Sequence, residues 1–136
     1  MKSNDTQLKL RRFEVNEKRQ KVADIEMMIQ DFKRMAEDLS RQIESEEESS
    51  GIRDPKHFAY PTYAKAASQR RSNLMASIGE LEGKVAEAKA QLDEALEELK
   101  KSEMAGERAS VDHGGNNRMV HGTGSHARLA VAGPRL

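Results

Sequence analysis

Four carboxylates fall within five residues at Glu44, Glu46, Glu47 and Glu48, a density that attracts divalent cations. A run of like charges reads first as a solvated face, and we take it as one. His57 is isolated, which suits packing or solvent exposure better than a metal role. His113, His121 and His126 are spaced by eight and five in a glycine-rich stretch and form no designed metal site. The basic residues Lys9, Arg11, Arg12, Lys18, Arg19 and Lys21 could meet phosphate, but Glu14 and Glu17 are interleaved with them. No aromatic platform accompanies them, so we expect no nucleic-acid partner. There is no G-x-x-x-x-G-K-[ST], no G-x-G-x-x-G, no H-E-x-x-H and no cysteine ligand set. The residues therefore predict no enzyme, no catalytic residue, no cofactor and no metal. What remains for function is the shape of the chain and the surfaces it offers.

Composition limits that shape. The 136 residues suit one small domain, yet only 36% are apolar, 34% are charged and Trp is absent. A globular core draws on roughly half apolar residues, whereas a coiled coil buries only a seam. The formal net charge is zero, so bulk attraction to nucleic acid or anionic lipid is not expected. The absence of Cys excludes disulfides and thiol chemistry and fits a reducing compartment. No apolar run approaches the ~20 residues of a membrane span, and MKSNDTQLKLRRFEV lacks a secretory apolar region. The reading is a cytoplasmic protein.

Two long segments carry a heptad grid. Residues 6–48 contain neither Pro nor Gly. In them Leu8, Val15, Val22, Ile29, Ala36 and Ile43 are seven apart, and Ile25, Phe32 and Leu39 form the interleaved series. Arg11 and Lys18 stand where that second series requires apolar residues, so the seam weakens towards the N-terminus. Met28 and Met35 widen it, and Asp5 or Thr6 is the expected cap. At ~1.5 Å per residue the helix would run ~65 Å, beyond an ordinary globular helix. Residues 62–103 repeat the pattern with Ile78, Val85, Leu92 and Leu99, interleaved with Ala67, Leu74, Leu81, Ala88 and Ala95. The three alanines allow a facing helix close. Gly79 and Gly83 cost roughly 1 kcal/mol each against Ala and mark the softest stretch.

Between them, SSGIRDPKHFAYPT reverses the chain. Gly51 suits a left-handed helix end, and Asp54-Pro55 suits a cap followed by a short turn. Pro61 disfavours helical backbone at Tyr60 and then opens the second helix. Three of the five aromatics, Phe58, Tyr60 and Tyr63, gather here. They are placed to fold over the end of the coiled coil as a plug, or to meet a partner. Charge agrees with an antiparallel arrangement. Residues 1–21 carry seven basic and three acidic side chains, while residues 80–103 carry eight acidic and four basic. The Glu44–Glu48 cluster would likewise face Lys65, Arg70 and Arg71. After Glu103 the composition shifts, with six of nine Gly and three of four His in residues 104–136. That tail has no period and too little apolar mass to offset ordering. The predicted fold is all-α, an antiparallel two-helix coiled-coil hairpin over residues 1–103 with a disordered C-terminal tail over residues 104–136.

MKSNDTQLKLRRFEVNEKRQKVADIE and DPKHFAYPTYAKAASQRRSNL resemble the FliJ family of flagellar export proteins in the form found in alphaproteobacteria. The resemblance covers about residues 1–103, and FAYPTYAKAA-QRR at the turn is its specific part. It implies a non-enzymatic component of the flagellar type III protein export apparatus. Such a protein acts as stalk and adaptor of the export ATPase hexamer, contacts the cytoplasmic domain of the export gate and escorts export chaperones. It is cytoplasmic and peripheral to the inner membrane at the flagellar base. Carried onto this chain, the ring-inserted end is the stretch with Leu8, Arg11, Arg12, Lys18 and Arg19, facing residues 92–103. The gate or chaperone surface is the start of the second helix, with Tyr63, Gln69, Arg70 and Arg71, beside Phe58 and Tyr60 of the turn. The tail departs from the family, whose second helix continues with charged residues; a reading-frame change near codon 104 would produce such a departure. The residues alone leave open a generic coiled-coil scaffold, or a chaperone-like clamp whose turn aromatics hold a client.

Overall fold

The heptad grid folds as two long α-helices. The computed structural model describes residues 2–114, and the side chains of residues 4–108. Helix α1 spans Lys2–Ser50 and α2 spans Thr62–Gly114, with no strand among the described residues. Both helices are longer than the pattern predicts. Because α1 begins at Lys2, Asp5 lies in its first turn, where a carboxylate complements the positive end of the helix dipole. Helix α2 passes Glu103 and continues to Gly114, so helix replaces the disorder expected at residues 104–114. Met104, Ala105, Glu107, Arg108 and Ala109 are good helix formers, and that local preference outweighs the loss of heptad period. The rest of the expected tail, residues 115–136, lies outside the described residues.

The chain divides into two compact units, Asn16–Asp93 and Met1–Val15 with Glu94–Leu136. In Asn16–Asp93 the helices run antiparallel, as cross-helix contacts show. Glu26 meets Lys89 at 3.2 Å, Lys33 meets Glu82 at 4.0 Å, Ser40 meets Arg71 at 3.0 Å and Gln42 meets Tyr63 at 2.5 Å. Rising numbers on α1 pair with falling numbers on α2. The exposed ion pairs select orientation more than they stabilise, since each contributes a few tenths of a kcal/mol. The seam between the helices is the heptad set. Val22, Ile25, Ile29, Ala36, Leu39 and Ile43 of α1 are buried, as are Ala67, Ile78, Leu81, Ala88 and Leu92 of α2. Phe32, Leu74 and Val85 are half-buried.

The Ile78 series reaches two heptads further towards the turn than the apolar pattern indicates. Ala64 is fully buried, seven residues before Arg71 and fourteen before Ile78. Arg71 occupies the intervening core position and is half-buried, with Nη1 donating to Ser40 Oγ at 3.0 Å. An arginine at such a position hid the continuity of the seam. Its long stem covers apolar surface while the guanidinium reaches a hydroxyl on the other helix.

In the unit formed by Met1–Val15 and the segment from Glu94, Val15 is buried and Leu8 and Leu99 are half-buried. Arg11 bridges Glu14 on its own helix at 3.3 Å and Glu98 on α2 at 3.7 Å. Gly106 allows close approach here, because a Cβ built on it would lie 2.6 Å from the Asn4 Nδ2.

Candidate functional site

Two surfaces hold the residues that the sequence singles out. The first lies at the turn, inside Asn16–Asp93. Helix α1 ends in a left-handed cap. Gly51 has φ +75°, and its N–H donates to the Glu47 carbonyl at 2.8 Å. Ser50 Oγ accepts from the Ile52 N–H at 3.1 Å, and Ile52 packs on the cluster of Leu39, Ile43, Tyr60, Ala64 and Ala67. Asp54 then starts a tight turn. Its Oδ1 accepts from the Lys56 N–H and its carbonyl from the His57 N–H, both at 3.0 Å. Pro55 fixes φ at the second position of that turn. A second turn follows, in which the His57 carbonyl accepts from the Tyr60 N–H and His57 Nδ1 from the Ala59 N–H, each at 3.0 Å. The Pro61 carbonyl accepts from the Lys65 N–H at 3.1 Å, so Pro61 caps α2 and Thr62 is its first residue.

This backbone separates the three aromatics. Tyr60 is buried, and its hydroxyl donates to Glu47 Oε2 at 2.7 Å. Tyr63 is half-exposed along α2, with its hydroxyl on Gln42 Oε1. Phe58 is 95% exposed. Of the two readings for these aromatics, the plug holds for Tyr60 and fails for Phe58 and Tyr63. Phe58 is the second residue of the His57–Tyr60 turn. Its only ring neighbour among the described residues is His57, stacked with centroids 4.9 Å apart and planes 20° from parallel.

Glu47 anchors the turn, meeting Arg53 Nη1 at 3.4 Å as well as Tyr60. The glutamate cluster does not pair with Lys65, Arg70 or Arg71 as expected. Glu47 turns to Arg53, Arg71 to Ser40, and Lys65 and Arg70 have no ion-pair partner among the described residues. Together Glu47 and Arg71 set the environment of the Tyr60 phenol. The hydrogen bond to the Glu47 carboxylate raises its pKa above the ordinary 10.0, burial and the Glu47 charge add to this, and Arg71 opposes it. Gln69 is exposed and bonds only Asn73, at 3.3 Å.

Two clefts lie in Asn16–Asp93. An open groove of about 470 Å³ lies between the helices, lined by Met35, Asp38, Leu39, Arg70, Asn73 and Leu74. A smaller cleft of about 160 Å³ is lined by Pro55, Tyr60, Lys65, Ser68, Gln69 and Ser72.

The second surface is the basic stretch of α1. In the unit with Met1–Val15, Leu8 and Arg11 are half-buried and Arg12 is exposed. The Arg11 side chain is 26% exposed, and its Nε is buried without a hydrogen-bond partner. In Asn16–Asp93, Lys18 and Arg19 are half-buried, and the Arg19 Nε is likewise buried and unpartnered. Arg11 therefore sits at the seam position that its heptad register assigns, and only Arg12 is free to project fully.

Among the described residues no group of three or more His, Asp or Glu is arranged to hold a metal ion. His121 and His126 lie outside the described residues, as does the His113 side chain. No described helix is long and apolar enough to cross a membrane. No family model, no curated protein and no solved structure matches the chain.

Proposed function

We propose that this chain is a non-enzymatic component of the flagellar type III protein export apparatus. In this reading it is a stalk and adaptor of the export ATPase ring and an escort of chaperones to the export gate. It works in the cytoplasm and associates peripherally with the inner membrane at the flagellar base through the gate. The observation that carries the reading is the FAYPTYAKAA-QRR block, set where two long heptad helices meet. An antiparallel coiled coil without a catalytic constellation is consistent with mechanical or adaptor work. The basic start of α1, with Arg12 exposed and Arg11 held in the seam, is the end we assign to the ATPase ring. The start of α2, with Tyr63, Gln69 and Arg70 exposed, is the face we assign to the gate or chaperones.

A pull-down against the purified export ATPase tests this. Binding that survives Tyr60→Ala but is lost when residues 1–20 are deleted supports the stalk. Binding lost with Tyr60→Ala and retained by the deletion would instead support a clamp that holds clients at the turn. A nucleic-acid binder would show association that collapses with salt, a pattern that neither of the other readings requires.

A further inference from the structure

We propose that the turn is a docking site for an acidic, apolar peptide segment of a partner protein. Phe58 would enter the partner's apolar side chains, and a partner carboxylate would enter the cleft beside Lys65. The inference stands on the local geometry of the turn and does not depend on the stalk reading.

Phe58 is an aromatic side chain held out in solvent by an ordered backbone. The hydrogen bonds of Asp54 and His57 fix the two turns around it, and Tyr60, anchored on Glu47, fixes the far side. Rigid presentation of an aromatic ring lowers the ordering cost of binding, which is why such rings dominate interface energetics. The ring touches the turn only through its stack on His57 and fills no part of the core, since Tyr60 alone takes the plug position.

The cleft supplies the second half of the argument. Pro55 and Tyr60, two of its lining residues, bracket Phe58 in sequence. Its other lining groups are two hydroxyls, one amide and a single cation, Lys65. Lys65 has no ion-pair partner among the described residues, and Glu47 is engaged by Arg53 and Tyr60. A cleft that offers one unpaired ammonium and two serine hydroxyls, with no carboxylate among its lining residues, is complementary to an anionic side chain. A carboxylate next to a Leu or Phe would satisfy both halves at once.

The test is an NMR titration of the full-length chain with a pool of short peptides composed of Leu, Phe, Glu, Asp and Gly. A matched pool carries Gln and Asn in place of the acids. The proposal expects the acidic pool to shift the Phe58, Lys65, Ser68 and Ser72 resonances, and the amide pool to bind about tenfold more weakly or not at all. Phe58→Ala and Lys65→Gln, both at exposed positions, should each weaken binding about tenfold while leaving the helical spectrum intact. Equal binding by the amide pool would overturn it. So would unchanged binding by either variant, shifts confined to the Met35–Leu74 groove, or no binding by the acidic pool. Failure of the chain to bind the export ATPase would leave these outcomes as they are.

Discussion

Replacing Gly79 or Gly83 by alanine should stabilise the protein, and the same change at Gly51 should destabilise it. At all three positions an added Cβ meets no atom within 4 Å, so space does not decide the outcome. The backbone does. Gly79 and Gly83 lie in the interior of α2 at helical dihedrals, where Ala is favoured over Gly by about 0.8–1.0 kcal/mol each. The two methyls would be one turn apart and too small to interfere, so the double variant should gain about 2 kcal/mol. That corresponds to about 4 °C in Tm for each substitution. Gly51 instead has φ +75°, a left-handed conformation that costs an L-residue roughly 1–2 kcal/mol. Urea denaturation followed by circular dichroism, at several protein concentrations and with unchanged slope, measures the three effects. Loss of stability in Gly79→Ala or Gly83→Ala would show that these glycines make a contact or a bend that the fold requires. A neutral Gly51→Ala would show that α1 does not end in the left-handed cap.

Three further outcomes follow from the packing. Ala64 and Ala67 are fully buried between the helices, so Ala67→Leu should cost about 1–3 kcal/mol by overpacking. Leucine at the exposed Ala66 should be tolerated, and chemical denaturation distinguishes the two. Arg11→Leu should raise stability by about 1 kcal/mol, because it completes the seam and removes a buried unpartnered Nε at the loss of two partly exposed ion pairs; a fall in the urea midpoint would contradict the seam placement. The raised Tyr60 pKa means that the folded state binds this proton more tightly than the unfolded chain. Its contribution is fully present below the unfolded value of 10.0 and is lost as pH rises through the higher folded value. Melting followed from neutral pH to about pH 11 should show that loss in the native protein and less of it in Tyr60→Phe.

The helices were legible because burial follows the heptad grid almost residue by residue, from Val15 to Ile43 and from Ala67 to Leu92. Interruptions of that grid were harder to interpret. The apolar pattern starts the second helix's first series at Ile78, yet that series runs on through the polar Arg71 to the buried Ala64. The continuation of α2 to Gly114 was hidden because Gly106 and the loss of heptad period suggested a tail. Local helix preference and the close approach to Asn4 both favour helix there. At the turn, aromatic content indicated a hydrophobic plug, and composition could not say which ring would face inward. That choice is made by the hydrogen bonds of Asp54 and His57, which direct Phe58 outward and Tyr60 inward. Likewise the pairing of the glutamate cluster depended on Arg53, a loop residue outside any periodic pattern.

The functional proposal is tested most directly by the turnover of purified flagellar export ATPase as this chain is added. The account predicts that turnover rises to a plateau at a fixed ratio of chain to hexamer. It also predicts that the rise is abolished by charge reversal at the exposed Arg12 and preserved by Phe58→Ala. Turnover that stays flat, in a preparation whose helical content and melting are native, would contradict it.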